Sequence, residues 1–146
     1  MNNWIAVSPT QLGTKHYIPR HGYLFASDMQ VVPILLAELA KLIPYYVLAF
    51  IHQDNTYQPV ALTGLGDGRN MYVLQDGKWL GTYVPAFLRS HPFRLLTSEN
   101  KQRVLCIHED HLTEDSQGQP LFDQDGNPTQ PVQDTLNFLN DCEKNR

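Results

Sequence analysis

The residues best suited to chemistry lie between Gly64 and Phe93, GLGDGRNMYVLQDGKWLGTYVPAFLRSHPF. Gly66, Asp67, Gly68 and Arg69 form a Gly-rich turn with a cation, a composition that can cradle an anion on backbone N–H groups. Phosphate loops of this kind open a helix, however, and a β-type run, Met71–Gln75, follows here, so a wide turn is the favoured reading. Arg69, His91 and His21 would supply a cation and two imidazoles to a small-molecule pocket beside Asn70. A general base must stand within hydrogen-bond reach of its substrate proton. Neither a nucleophile elbow, a thiol with a recognisable partner, nor a paired-carboxylate pattern accompanies these residues. The expectation is a protein without catalytic residues or cofactor.

Trp79, Tyr83, Phe87 and Arg89 are of the types that anchor protein interfaces, because they bury large areas and make directed contacts. Trp79 and Phe87 would equally complete a core. Together Gly66, Asp67, Gly68, Arg69, Trp79, Tyr83, Arg89 and His91 make the candidate binding set.

Three other clusters have weaker patterns. His108, Glu109, Asp110 and His111 are metal-ligand types but lack the second histidine at i+4 of a zinc-protease helix. Asp123, Asp125, Gly126 and Asn127 resemble a calcium loop without its third acidic position before the glycine or its distal Glu. No metal is expected. His16, Tyr17, Arg20 and His21 are of types that bind an anion or sugar ring, and a solvated loop is the simpler reading.

The elements that would position these residues follow from pattern. Trp4–Val7 reads as a short strand. Val32, Leu35, Leu36, Leu39, Ala40 and Ile43 recur at helical spacing after a Ser27 or Asp28 cap, which predicts a long helix ending before Pro44, with Glu38 beside Lys41 on its exposed stripe. Tyr45–Ile51, Pro59–Leu65 and Met71–Leu74 predict a meander, with turns at Asp54-Asn55 and Asp76-Gly77. Pro85 suits the first turn of a short helix. Phe93–Thr97 and Val104–His108 predict a second hairpin. Thr129 caps a final helix to about Lys144, with Val132, Leu136 and Leu139 on one face. The expected fold is α+β: one antiparallel sheet of about five strands with a long helix in the N-terminal half, a short central helix and a C-terminal helix.

With 146 residues and 42% hydrophobic content, one domain with one core is expected. No run reaches the roughly 18 apolar residues of a membrane span. The first ten residues lack a signal-peptide pattern, and two dissimilar cysteines form no disulfide framework, so a cytoplasmic location is expected. Residues 1–103 carry nine Lys/Arg against six Asp/Glu, and residues 104–146 carry two against nine. This acidic end argues against nucleic acid, whose backbone calls for clustered cations. It suits a basic partner surface or a solvated rim.

YLFA at 23–26, VVPILLAELA at 31–40, PVALTGLGDGRNMYV at 59–73, DGKW at 76–79, YVPAFLRSHPF at 83–93, VLCIHED at 104–110 and LFDQDGNPT at 121–129 together resemble the SapC family of bacterial proteins. The resemblance covers nearly the whole chain. The family takes its name from an association with export of surface-layer protein, which implies a non-enzymatic accessory or binding role with a surface or secretory protein as partner. It supplies no catalytic residues. His91 stands where an aromatic residue is common in the family, and Arg89-Ser90 replaces a more basic pair. Members usually continue beyond the position of Arg146, which implies a missing C-terminal region. Two alternatives stand beside this reading: a small-molecule binder or enzyme with its pocket at Gly66–Asn70, and a homodimeric structural or regulatory domain joined through an open Val132/Leu136/Leu139 stripe.

Overall fold

A computed structural model describes residues 3–144. In chain order its elements are β1 (Trp4–Ala6), α1 (Pro9–Leu12), β2 (His16–Tyr17), β3 (Val31–Pro33), α2 (Leu39–Leu42), β4 (Val47–Gln53), β5 (Thr56–Leu62), α3 (Ala86–Arg89), β6 (Phe93–Thr97), β7 (Arg103–His108), β8 (Leu112–Thr113), β9 (Gln119–Pro120) and α4 (Gln130–Lys144), with short 3-10 turns between several of them. The fold is mixed helix and sheet. In place of one five-stranded sheet, the described residues form three small antiparallel ones, ordered β1-β7-β6, β8-β2-β9 and β3-β5-β4. The described residues fall into two compact units: 3–20 with Ser90–Asp141, and His21–Arg89 with 142–144.

In the first unit, the hairpin β6-β7 forms where its apolar runs place it, and β1 joins through the Ile5↔Ile107 register. Leu12, Tyr17, Phe93, Ile107, Leu121, Phe122 and Val132 form its core, with Tyr17 and Phe93 edge to face at 5.2 Å. Leu139 packs on the same cluster. The apolar stripe of α4 is therefore largely covered, with Val132 fully buried and Leu136 half-buried.

The second unit departs most from expectation. No long helix runs over residues 32–43. Pro33 has no N–H and biases the residue before it towards extended backbone. Val31 and Val32 instead pair with Leu62 and Ala61, and Ile34 N donates to Pro59 O at 3.0 Å. Only a 3-10 turn at Leu36–Glu38 and the four residues of α2 are helical. The apolar spacing arose from a strand followed by a turn, both facing one core. That core holds Ile34, Leu42, Tyr46 and Ala61, with a neighbouring cluster of Ala26, Val32 and Leu88.

Hairpin β4-β5 turns at Asp54-Asn55, both at positive φ (53° and 64°), as a two-residue loop matched to strand twist requires. At Asp76-Gly77 only Gly77 has positive φ, and the expected strand Met71–Leu74 shrinks to a single bridge, Val73↔Trp79. The Asn70 side chain explains this. Its Oδ1 accepts the Tyr72 N–H at 2.8 Å, a local bond that competes with a ladder.

Candidate binding surface

Sequence reasoning left Glu38 on a solvated stripe; the fold buries it to 5% exposure. Its Oε1 accepts from Tyr83 Oη and from Ala86 N, both at 2.7 Å, and its Oε2 accepts from Leu35 N at 2.9 Å. One carboxylate thus ties the 3-10 turn to the start of α3. The only early signal was a lone acid inside an apolar run. Arg89 Nη2 donates to Tyr83 Oη at 3.1 Å, and the Arg89 and Lys41 cations lie 5.3 and 5.5 Å from the Tyr83 ring centroid. Burial, then the Glu38 hydrogen bond and charge, push the Tyr83 phenol up to about 12 against the opposing pull of Arg89.

Trp79 is half-buried and packs against both clusters of this unit. Its indole N–H donates to Tyr46 Oη at 2.8 Å, its ring stacks on Tyr72 at 5.4 Å, and Tyr23 meets it edge-on at 5.6 Å. Tyr46 Oη in turn donates to Tyr83 O. Phe87 is half-buried on the second cluster.

The loop Gly66–Arg69 is an exposed turn. Gly66 and Gly68 have φ of 91° and 82°, the left-handed region that favours glycine. Gln30 Oε1 accepts from Gly66 N at 2.6 Å, Asp67 Oδ1 accepts from Arg69 N at 3.2 Å, and Asp67 Oδ2 lies 3.6 Å from Arg69 Nε. Gly64 anchors the turn. A Cβ there would lie 2.5 Å from the Arg69 carbonyl oxygen and would also overlap the Gln30 side chain. Gly64→Ala is expected to cost about 1–3 kcal/mol, read from the urea midpoint at unchanged m-value.

His91 belongs to the other unit, apart from the rest of the candidate set. There its ring lies 5.0 Å from His111, 6.0 Å from His108 and 6.2 Å from Trp4. His108 sits 5.1 Å from Trp4, over which the Arg94 guanidinium lies at 4.5 Å. Burial, reinforced by His111, His108, Arg94 and Arg20, lowers the His91 pKa to about 3. The His108–His111 segment therefore joins a cation-rich aromatic cluster. No three His, Cys, Asp or Glu among the described residues are placed to hold a metal ion.

The surface that sequence reasoning missed is the outer edge of β4, an outermost strand of the order β3-β5-β4. Gln53 pairs with Thr56 across the two-residue turn, so antiparallel alternation directs the polar backbone groups of Val47, Ala49, Ile51 and Gln53 to β5 and those of Leu48, Phe50 and His52 outward. Phe50 is 66% exposed, and Val47, Ile51 and Tyr57 are also open to solvent. Apart from Ile18, every exposed large apolar side chain among the described residues belongs to this unit. Residues 42–66 carry one formal charge, Asp54. Edges are usually protected by lysine, proline or short length, and β4 has none of these. The opposite edge, β3, has three residues; because Ile34 N faces β5, alternation places the missing N–H of Pro33 on its outer side.

Residues 8–146 match the SapC family model. The chain belongs to the SapC family. Neither the curated proteins nor the solved structures contain a match. The SapC match spans both units and therefore includes the β4 edge, the Glu38 tie and the histidine cluster. Among the described residues of this SapC chain, no helix is long and apolar enough to cross a membrane.

Proposed function

We propose that this SapC protein is a non-enzymatic binding module that receives an extended, uncharged segment of a surface or secretory polypeptide in the cytoplasm, before export, by adding it as a strand to β4. The open edge at Leu48, Phe50 and His52 carries the reading, since an arriving strand gains backbone hydrogen bonds there and apolar cover from Phe50 and its neighbours. A polypeptide held for export is extended, the form that strand addition selects. The resemblance to proteins associated with surface-layer export supplies the class of partner.

The test is fluorescence anisotropy with a labelled decapeptide of alternating Val and Thr. Saturable binding is expected, and N-methylation of alternate peptide amides on the pairing side should abolish it. Phe50→Pro removes the central outward N–H without touching the β5 ladder and should weaken binding about tenfold or more at unchanged far-UV circular dichroism. Equal affinity for the N-methylated peptide, or for Phe50→Pro, would sink strand addition. For the export role, deletion in the native bacterium should leave surface-layer protein inside the cell. Unchanged export would overturn that part.

A further inference from the structure

Strand β4 is seven residues long, and among the described residues β5 is its one neighbour. Its open edge has a centre. Leu48, Phe50 and His52 direct their N–H and C=O groups outward, and Phe50 stands midway between the other two. A second copy of β4, running antiparallel about a two-fold axis at Phe50, sets Phe50 opposite Phe50 and Leu48 opposite His52. Every outward donor then meets an outward acceptor. Moving the axis by one residue sets His52 opposite Tyr46, whose N–H already goes to Leu42 O at 2.9 Å, or Leu48 opposite Asp54 in the turn. One register satisfies the whole edge.

The side chains fit the same symmetry. Residues directly opposite share a face, so the row of Pro59 and Phe50 continues into Phe50 and Pro59 of the second copy, and the exposed Phe50 rings cover each other. On the other face Ile51 meets Ala49 of the second copy. Contact between identical surfaces brings like charges together wherever charges are present, and β4 carries no Lys, Arg, Asp or Glu. The one formal charge of residues 42–66, Asp54, falls roughly 25 Å from Asp54 of the second copy, beyond the roughly 8 Å Debye length. Self-pairing therefore meets no repulsion at this strand.

We propose that, when no guest strand is bound, β4 pairs with β4 of a second copy in this Phe50-centred register, so that dimerisation and guest binding exclude each other. Exclusion presupposes the reading of β4 as the edge that takes a guest strand. A single seven-residue strand pair lies at the small end of protein interfaces, under about 1,200 Å² in total. The dimer is accordingly reversible, and a guest displaces it by mass action.

Sedimentation of the full chain should show its mass rising from one copy towards two between about 1 µM and about 1 mM. Over the same range, amide exchange read by NMR should slow at least about tenfold at Leu48, Phe50 and His52 and stay unchanged at Ala49 and Ile51, whose N–H groups face β5. Phe50→Pro should remain a single copy throughout. Leu24→Asp, at an exposed apolar side chain outside β4, should dimerise as the unsubstituted chain does. The alternating Val and Thr decapeptide should return the dimer to one chain with one peptide. A dimer that persists in Phe50→Pro, or that forms without the amide protection, would overturn the pairing. A single copy at every concentration that still binds the decapeptide would overturn it too, and leave strand addition standing. A Phe50-centred dimer that the decapeptide neither binds nor displaces would sink strand addition and the exclusion with it.

Discussion

Glu38→Ala is expected to lower the unfolding free energy by about 3–5 kcal/mol, because it leaves three donors in a dry site facing a cavity. The three are Leu35 N, Tyr83 Oη and Ala86 N. Glu38→Gln keeps one oxygen acceptor but turns an NH2 group towards a donor, and should cost about half as much. Urea midpoints measure both. A loss below about 1 kcal/mol for the alanine variant would mean that water replaces the carboxylate. The same variant should bring the Tyr83 phenol part of the way down from about 12, read by ultraviolet absorbance, with the remainder held up by burial. The sign follows. A phenol whose folded pKa lies above its ordinary value of 10 stabilises the fold below pH 10, and that contribution is lost as the pH rises through about 12.

The first unit should be acid-sensitive through His91. Its folded pKa, lowered from 6.5 to about 3, means that the unfolded chain takes up the proton first as pH falls. The neutral ring therefore contributes fully above pH 6.5, and the contribution is lost between 6.5 and about 3. Converted in full, the shift is about 4–5 kcal/mol; the partly exposed ring reduces this to about 2 kcal/mol. The charged and titratable groups around it are His111, His108, Arg94 and Arg20, with the Asp110 carboxylate 3.7 Å from His108 Nδ1. His91→Phe keeps an aromatic ring beside Trp4 and cannot charge. Its stability, measured by denaturant titration at pH 7 and pH 4, should fall less on acidification than that of the unsubstituted chain. Equal losses would assign the acid response to other groups.

Strands and turns with local chemistry were readable in the sequence. Asp54-Asn55 announced a hairpin because both residues tolerate positive φ, and β6-β7 announced itself through two apolar runs around a polar loop. Residues 32–43 misled because strand β3 followed by a turn can mimic helical spacing when both face one core; Pro33 was the contrary signal. Glu38 was misplaced for the same reason, since its exposure was inferred from a helix that does not form. The His91 cluster was beyond local reading. Its members come from β1, the segment before β6, β6 itself, the end of β7 and the turn after it, and only strand register brings them together. The β4 edge was hidden differently: its residues signalled a strand, but strand order decides which side lacks a neighbour.

Strand order also fixes how far the second unit's sheet can extend. In the language of polymer chemistry, this unit is monofunctional: β4 is a reactive end, and β3, shortened and carrying Pro33, is a capped one. A guest strand would bind with a stoichiometry of one. Two copies meeting through β4 would close into a six-stranded sheet bounded by two prolines, and the reaction would terminate there instead of propagating into a fibre.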